Sequence, residues 1–136
     1  MTSIHIELAG TDPPSGEVVL ENGTNGSIRI WRFGNGWGDE TLTFQLSHGA
    51  AREVHVTRRP QVYTRNVPSS VEVPAGGKEP LPFDLGDGTW DLRDAADLLR
   101  RSGVTLAAIY RVPPSPEAGT HGVWVGELRS PALPLD

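Results

Sequence analysis

Cysteine is absent from the 136-residue chain, which removes a disulfide framework, a thiol nucleophile, an iron–sulfur cluster and any thiolate zinc site from consideration. Positive charge is in deficit, with 12 Lys and Arg against 17 Asp and Glu and a formal net charge of −5. A protein that grips a phosphate backbone needs the opposite balance, so nucleic acid is not an expected partner. No apolar run approaches the ~20 residues that span a bilayer, and the segment Met1 to Glu7 has neither a cationic stretch nor an unbroken apolar one. A cytoplasmic protein that does not contact membrane is expected. Helical periodicity is scarce, and there is no internal repeat or linker-like stretch. The length suits one domain over residues 1–136, enough to bury roughly 70% of the unfolded surface around one core.

What the sequence has in abundance is alternation, punctuated by 16 Gly and 12 Pro. Ile4, Ile6 and Leu8 alternate with His5 and Glu7, so a first strand sends three aliphatics to one face. Glu17 to Glu21 forms a short second strand, reversed at Asn22-Gly23 or Asn25-Gly26. In Ser27 to Phe33, Ile28 and Ile30 oppose Trp31 and Phe33, which predicts a strand covered on both faces, in the middle of a sheet. Gly34 to Asp39 carries too much glycine for regular structure and reads as a loop around Trp37. Leu42, Phe44 and Leu46 alternate with Thr41, Thr43 and Gln45, and after Ser47-His48-Gly49 the pattern returns in Val54 and Val56, a predicted hairpin.

Residues 58 to 70, with Pro60 and Pro68, read as an irregular crossing between sheets. Val71 and Val73 resume a strand before Pro74 to Gly77. Leu81, Phe83 and Leu85 form the next, and Pro80 and Pro82 each remove a ladder donor, which pushes that strand to an edge. Asp91 to Gly103 is the helix candidate, spanning about 91–102: Leu92, Ala95, Ala96 and Leu99 share a face, acids crowd the start, arginines the end, and Gly103 suits a left-handed cap. Val104 to Val112 and about Gly122 to Arg129 are the last strands, separated by a proline-stiffened hairpin tip from Pro113. The sum is an all-β, immunoglobulin-like two-sheet sandwich of about eight or nine strands with one short helix.

The run Trp31 to Asp39, then Arg59-Pro60-Gln61-Val62-Tyr63, Val71 to Gly77, and Phe83-Asp84-Leu85 with Trp90-Asp91-Leu92, resembles the β-sandwich domain that precedes the catalytic domain in deuterolysin-like and peptidyl-Lys zinc metallopeptidases. The order strand, Pro-x-Gly, strand, Asp-Leu, aromatic, Asp-Leu, Gly, strand is also similar to intracellular proteinase inhibitors of the BsuPI type. The likeness covers residues 18 to 130. It implies an immunoglobulin-like fold and, as partner, a protease, although function resides in a site rather than in the sandwich. Two departures stand out. No His-Glu-x-x-His occurs, so the metallopeptidase active site is absent. Where such domains carry Gly-Thr-Tyr entering the penultimate strand, this chain has Gly103-Val104-Thr105-Leu106.

Other constellations are less specific. His5, His48, His55 and His121 share no ligand spacing, and His5 and His55 fall on predicted solvent faces. Asp84, Asp87 and Asp91, with Asp94 and Asp97, are oxygen-rich enough to suggest calcium, yet the spacing matches no EF-hand loop, and Asp91 and Asp94 are accounted for as cap and first-turn residues. No Gly-x-Ser-x-Gly elbow occurs, and Ser47-His48 reads as a turn. Glu53, Glu72 and Glu127 offer carboxylate pairs of the kind any acidic β protein has. Arg52, Arg58, Arg59 and Arg65 surround Tyr63 in a cationic, aromatic stretch that either stacks on bases or pairs with the acidic surface. The sequons at Asn22 and Asn25 read as turn chemistry.

Two loops remain as display elements. One carries Trp37 with Asn35 and Asp39 and is joined by Arg59 and Tyr63; the other carries Pro114, Ser115, Pro116 and His121. The expected function is therefore a non-catalytic protein-binding module, proteinase-inhibitor-like or prodomain-like, with no cofactor, acting as a monomer or weak oligomer. One alternative is a small-molecule or carbohydrate-binding domain, lectin-like or enzymatic, using Trp37, Trp90 and nearby carboxylates. Another is a structural subunit that pairs through an edge strand around residues 78 to 85.

Overall fold

A computed structural model describes residues 1–50 and 52–136. Ten strands form, β1 (Thr2–Thr11), β2 (Pro14–Asn22), β3 (Ile28–Trp31), β4 (Leu42–His48), β5 (Arg52–Val56), β6 (Ser70–Val73), β7 (Lys78–Asp84), β8 (Val104–Val112), β9 (Gly126–Arg129) and β10 (Leu133–Pro134), with two short helices, α1 (Gly36–Asp39) and α2 (Pro116–His121). One sheet has the order β1-β2-β7 and another β10-β8-β4-β5 with β9 also on β8. In immunoglobulin lettering these are A-B-E and G-F-C-C′, the expected sandwich. A separate ribbon, β3 with β6, is a third sheet.

The core follows from the alternation. On the first sheet Ile6 lies opposite Val18 and Val18 opposite Leu81, and direct antiparallel partners share a face. On the second, Leu42, Phe44 and Leu46 stand beside Tyr110, Ala108 and Leu106, with Val56 beside Phe44; all are buried. Phe44 joins the two layers, its ring centroid 4.6 Å from that of Phe83 and 5.2 Å from that of Trp90. Such aromatic pairs add about 0.5–1.5 kcal/mol each beyond area burial. β7 lies at a sheet edge, as Pro80 and Pro82 require. Among the described residues no helix is long and apolar enough to cross a membrane.

Several sequence expectations are corrected. Among the described residues there are ten strands where about eight or nine are expected. The segment 91–102 is a series of turns ending in a 3₁₀ turn at Leu98–Arg100, not an α-helix. Asp91 folds its carboxylate onto the Arg93 amide at 3.1 Å, and Asp97 is held outward between Arg52 and Arg101. Aspartate favours such local alternatives over a helix interior, and three turns are too few to be stable without tertiary help. Ile28–Trp31 is not central in a large sheet; it pairs with β6, and on its other side only Arg29 makes an isolated parallel bridge, to Val123. The glycine-rich loop contains α1, and the proline-rich tip is α2. The last predicted strand is shorter, β9, and is followed by β10.

Candidate functional site

The outward-facing residues of the second sheet form the floor of a cleft. On successive rungs Thr43 stands opposite Ile109, Ile109 opposite Arg129, and Arg111 opposite Glu127, while His55 pairs with Gln45. Because the side-chain period is two, the residues that seat Leu42, Phe44 and Tyr110 inside must place these outside. The cleft holds about 560 Å³ and is walled by Trp31, Trp37, Glu40 and Ser115. A second cleft, of about 410 Å³, lies beside it and is lined by Arg58, Arg59, Gln61 and Tyr63. Glu40 and Thr43 belong to both, so the two form a composite groove across β4.

The wall carrying Trp37 is held by hydrogen bonds to otherwise unpaired backbone. Asn35 caps α1, its Oδ1 accepting from Gly38 N at 2.8 Å and its Nδ2 donating to Arg32 O at 3.1 Å. Asp39 Oδ1 accepts from Gly34 N and Oδ2 from the Tyr63 hydroxyl, both at 2.8 Å, and Gly36 N donates to Asn66 Oδ1 at 2.8 Å. Gly38 is required by close approach, since a Cβ there would collide with the Arg32 carbonyl. Tyr63 is consequently tied to α1 across 24 residues of sequence. Burial, then the hydrogen bond to Asp39, pushes its phenol up to about 12, because both disfavour a phenolate beside a carboxylate.

Trp31 packs behind the same wall. Its ring centroid is 6.2 Å from that of Trp37 and 5.3 Å from the His121 imidazole. His121 is presented by α2, which Ser115 caps through its Oγ at 3.0 Å from Ala118 N, which Pro116 starts, and which Gly122 ends at φ 62°. That left-handed φ suits glycine. Trp124 N donates to Arg29 O at 2.8 Å, fastening α2 to β3.

Sequence-derived candidates thus divide by role. Trp37 lines the groove, half-buried rather than projecting. Ser115 also lines it, whereas Asn35, Asp39 and Pro116 shape its walls and His121 backs Trp31. Arg59 lines the smaller cleft, its Nε donating to Trp90 O at 3.2 Å; Pro114 is exposed and outside both clefts. Trp90 is 2% exposed in the core and cannot line a pocket. Asp84, Asp87 and Asp91 do not converge: the first two accept from Gly86 N and Thr89 N at 2.8 Å, and the third pairs with Arg93. Among the described residues no group of three or more His, Asp or Glu is placed to hold a metal. The arginine stretch disperses, with Arg52 on Asp97 and Arg58 between aromatic rings. Asn22 is buried, its amide donating to the carbonyls of Gly26, Val73 and Pro74.

Glu40, Thr43, His55, Arg111 and Arg129 were not distinguishable beforehand from any solvent-facing alternate. What distinguishes them is electrostatic. Among the described residues, Glu40, Arg58, Arg111 and Glu127 form no ion pair, while Arg129 donates to Gln45 Oε1. Both signs of charge lie in one groove and remain available to a ligand. Comparison with known proteins finds no matching family model, curated protein or solved structure.

Proposed function

We propose that the chain is a non-catalytic binding module, acting in the cytoplasm, that takes an extended segment of a partner protein into the groove across β4. One observation carries this reading: two clefts meet at Glu40 and Thr43 and are lined by an indole and by charged groups without intramolecular ion pairs. A groove with a pinned aromatic wall and free charges of both signs suits a peptide backbone with mixed polar side chains, and the rigid walls reduce the ordering cost of binding. A proteinase is the partner class the sequence resemblance suggests. The test is selection of random dodecapeptides displayed on phage against the purified protein, with a Thr43→Arg variant that fills the groove as counter-target. Enriched peptides that bind the native protein and lose at least about tenfold in affinity on Thr43→Arg, or about 1.4 kcal/mol, support the proposal. Failure to enrich, or peptides indifferent to the substitution, rejects it.

A carbohydrate reading has its own support in the larger cleft. Its volume of about 560 Å³ falls in the range usual for small ligands, and Trp37 stands there with Glu40 and Glu127, a stacking face beside hydrogen-bonding acids. Glycan-array binding abolished by Trp37→Ala, with no peptide enriched, would favour it over the peptide reading.

A further inference from the structure

The smaller cleft contains a cation whose position is explained and whose hydrogen-bonding edge is not. Arg58 begins the crossing from β5 to β6, where the backbone is pinned on both sides: Asp91 N donates to Thr57 O and Arg59 N to Thr89 O, each at 2.8 Å. The Arg58 guanidinium carbon lies 4.7 Å from the Trp90 ring centroid and 4.9 Å from that of Phe33. Cation–π contact on two rings accounts for an ordered, half-buried arginine. Its Nε is enclosed without a hydrogen-bond partner. The two Nη atoms also have none among the described residues, but they are not enclosed, and the residue lines the cleft. Buried or half-buried arginine without an acceptor is costly to keep and unusual.

We propose that the Nη1–Nη2 edge of Arg58 is a carboxylate receptor, taking an acidic side chain or the C-terminal carboxylate of the peptide that lies in the groove. The inference deepens the peptide-binding reading and rests on it for the identity of the carrier. Guanidinium and carboxylate are both planar, and their two parallel hydrogen bonds need a donor fork already fixed in orientation. Stacking between Phe33 and Trp90 supplies that fixation, so little side-chain entropy is lost on binding. The surroundings select one negative charge over two. Asp39 and Glu40 line the same cleft; the Asp39 oxygens accept from Gly34 N and Tyr63 instead of from Arg58, whose fork stays open. Arg58 and Arg59 face Asp39 and Glu40 across the cleft, so the second charge of a phosphate dianion finds its attraction and repulsion offset while adding to the desolvation cost, and a carboxylate is favoured.

The proposal is tested without any peptide partner, by following the Arg58 Nε–H and Trp37 Nε1–H resonances of the full chain at constant ionic strength. The probes are N-acetylglutamate N-methylamide, its glutamine counterpart, N-acetylalanine with a free carboxylate, and inorganic phosphate. The expected result is a saturable shift of Arg58 with one or both carboxylates, none with the glutamine compound, and phosphate weaker than either. The tighter carboxylate identifies the source. Arg58→Lys, which keeps charge and ring contact but loses the fork, should weaken binding at least about tenfold. If Arg58→Lys unfolds, Arg58→Gln replaces it and should weaken binding at least as much, while Arg101→Gln, outside both clefts, should retain the shift. Equal response to the glutamine compound, tighter binding of phosphate, or an unchanged Arg58→Lys variant overturns the receptor. If phage selection fails while the carboxylate titration succeeds, the peptide reading falls and the receptor stands; selected peptides that bind Arg58→Lys undiminished have the opposite meaning.

Discussion

The two faces of β4, β5, β8 and β9 are built from alternate residues of the same strands, yet they behave as different materials. Inward, Leu42, Phe44, Leu46 and Val56 are each 0% exposed and meet the opposing sheet. Outward, Thr43, His55, Arg111, Glu127 and Arg129 leave a groove. Their charges stay unpaired while, a short distance away, Asp97 holds both Arg52 and Arg101 and Asp91 holds Arg93. The contrast teaches where this protein has room for function. Shape complementarity consumes one face, and the other keeps its hydrogen-bonding capacity: Arg111 and Glu127 stand opposite each other on one rung yet form no ion pair.

Substitutions one residue apart should break that symmetry most visibly. Phe44→Ala empties a site between Phe83 and Trp90 and is expected to cost about 3–5 kcal/mol in denaturant unfolding, whereas Thr43→Ala should stay within about 0.5 kcal/mol. Equal losses would mean the outer face is packed after all. A smaller effect is expected at the groove wall. Gly38→Ala drives a Cβ into the Arg32 carbonyl, displaces α1 and should cost about 1–3 kcal/mol, with the Trp37 indole resonance shifting while core signals hold. Smallest is the strut: Tyr63→Phe removes the bond to Asp39 and should cost about 0.5–1.5 kcal/mol at neutral pH.

The pH dependence of that strut sharpens the comparison further. Tyr63 has its phenol pushed from 10.0 to about 12, mainly by burial, so the folded state holds a proton that the unfolded chain releases first. The contribution to stability is therefore complete below pH 10 and declines as pH rises toward 12. Tyr110 acts in the same direction, raised by its burial in the core. Phenolate absorbance should show neither tyrosine titrating near 10, with Tyr63 near 12, and Asp39→Asn should bring Tyr63 earlier without restoring 10, since burial remains the larger cause.

Much of the architecture was legible because burial and strand period coincide. Leu42–His48 reads as a strand from its alternation, and β7 reads as an edge from two prolines. The helices were misjudged for a common reason: at these lengths, caps outweigh periodicity. Ser115, Pro116 and Gly122 form a legible start-and-stop signature that the neighbouring prolines obscured. Asn35 gives only half such a signature, since α1 also depends on Asp39, Tyr63 and Asn66. The run from Asp91 to Leu99 had a helical stripe but three aspartates, of which Asp91 took the Arg93 amide and Asp97 the guanidinium groups of Arg52 and Arg101 instead.

By itself the sequence determined a cysteine-free, acidic, all-β chain and the identity of the residues that turn inward, because burying alternate aliphatics is a local consequence of strand geometry acting on composition. Which outward residues meet was decided only in three dimensions. Arg111 finds Glu127 through strand register, Tyr63 reaches Asp39 through a loop crossing, and Arg58 comes to rest between Phe33 and Trp90 because segments far apart in the chain close over it. Contacts between distant segments depend on how whole sheets stack, which no window of neighbouring residues encodes.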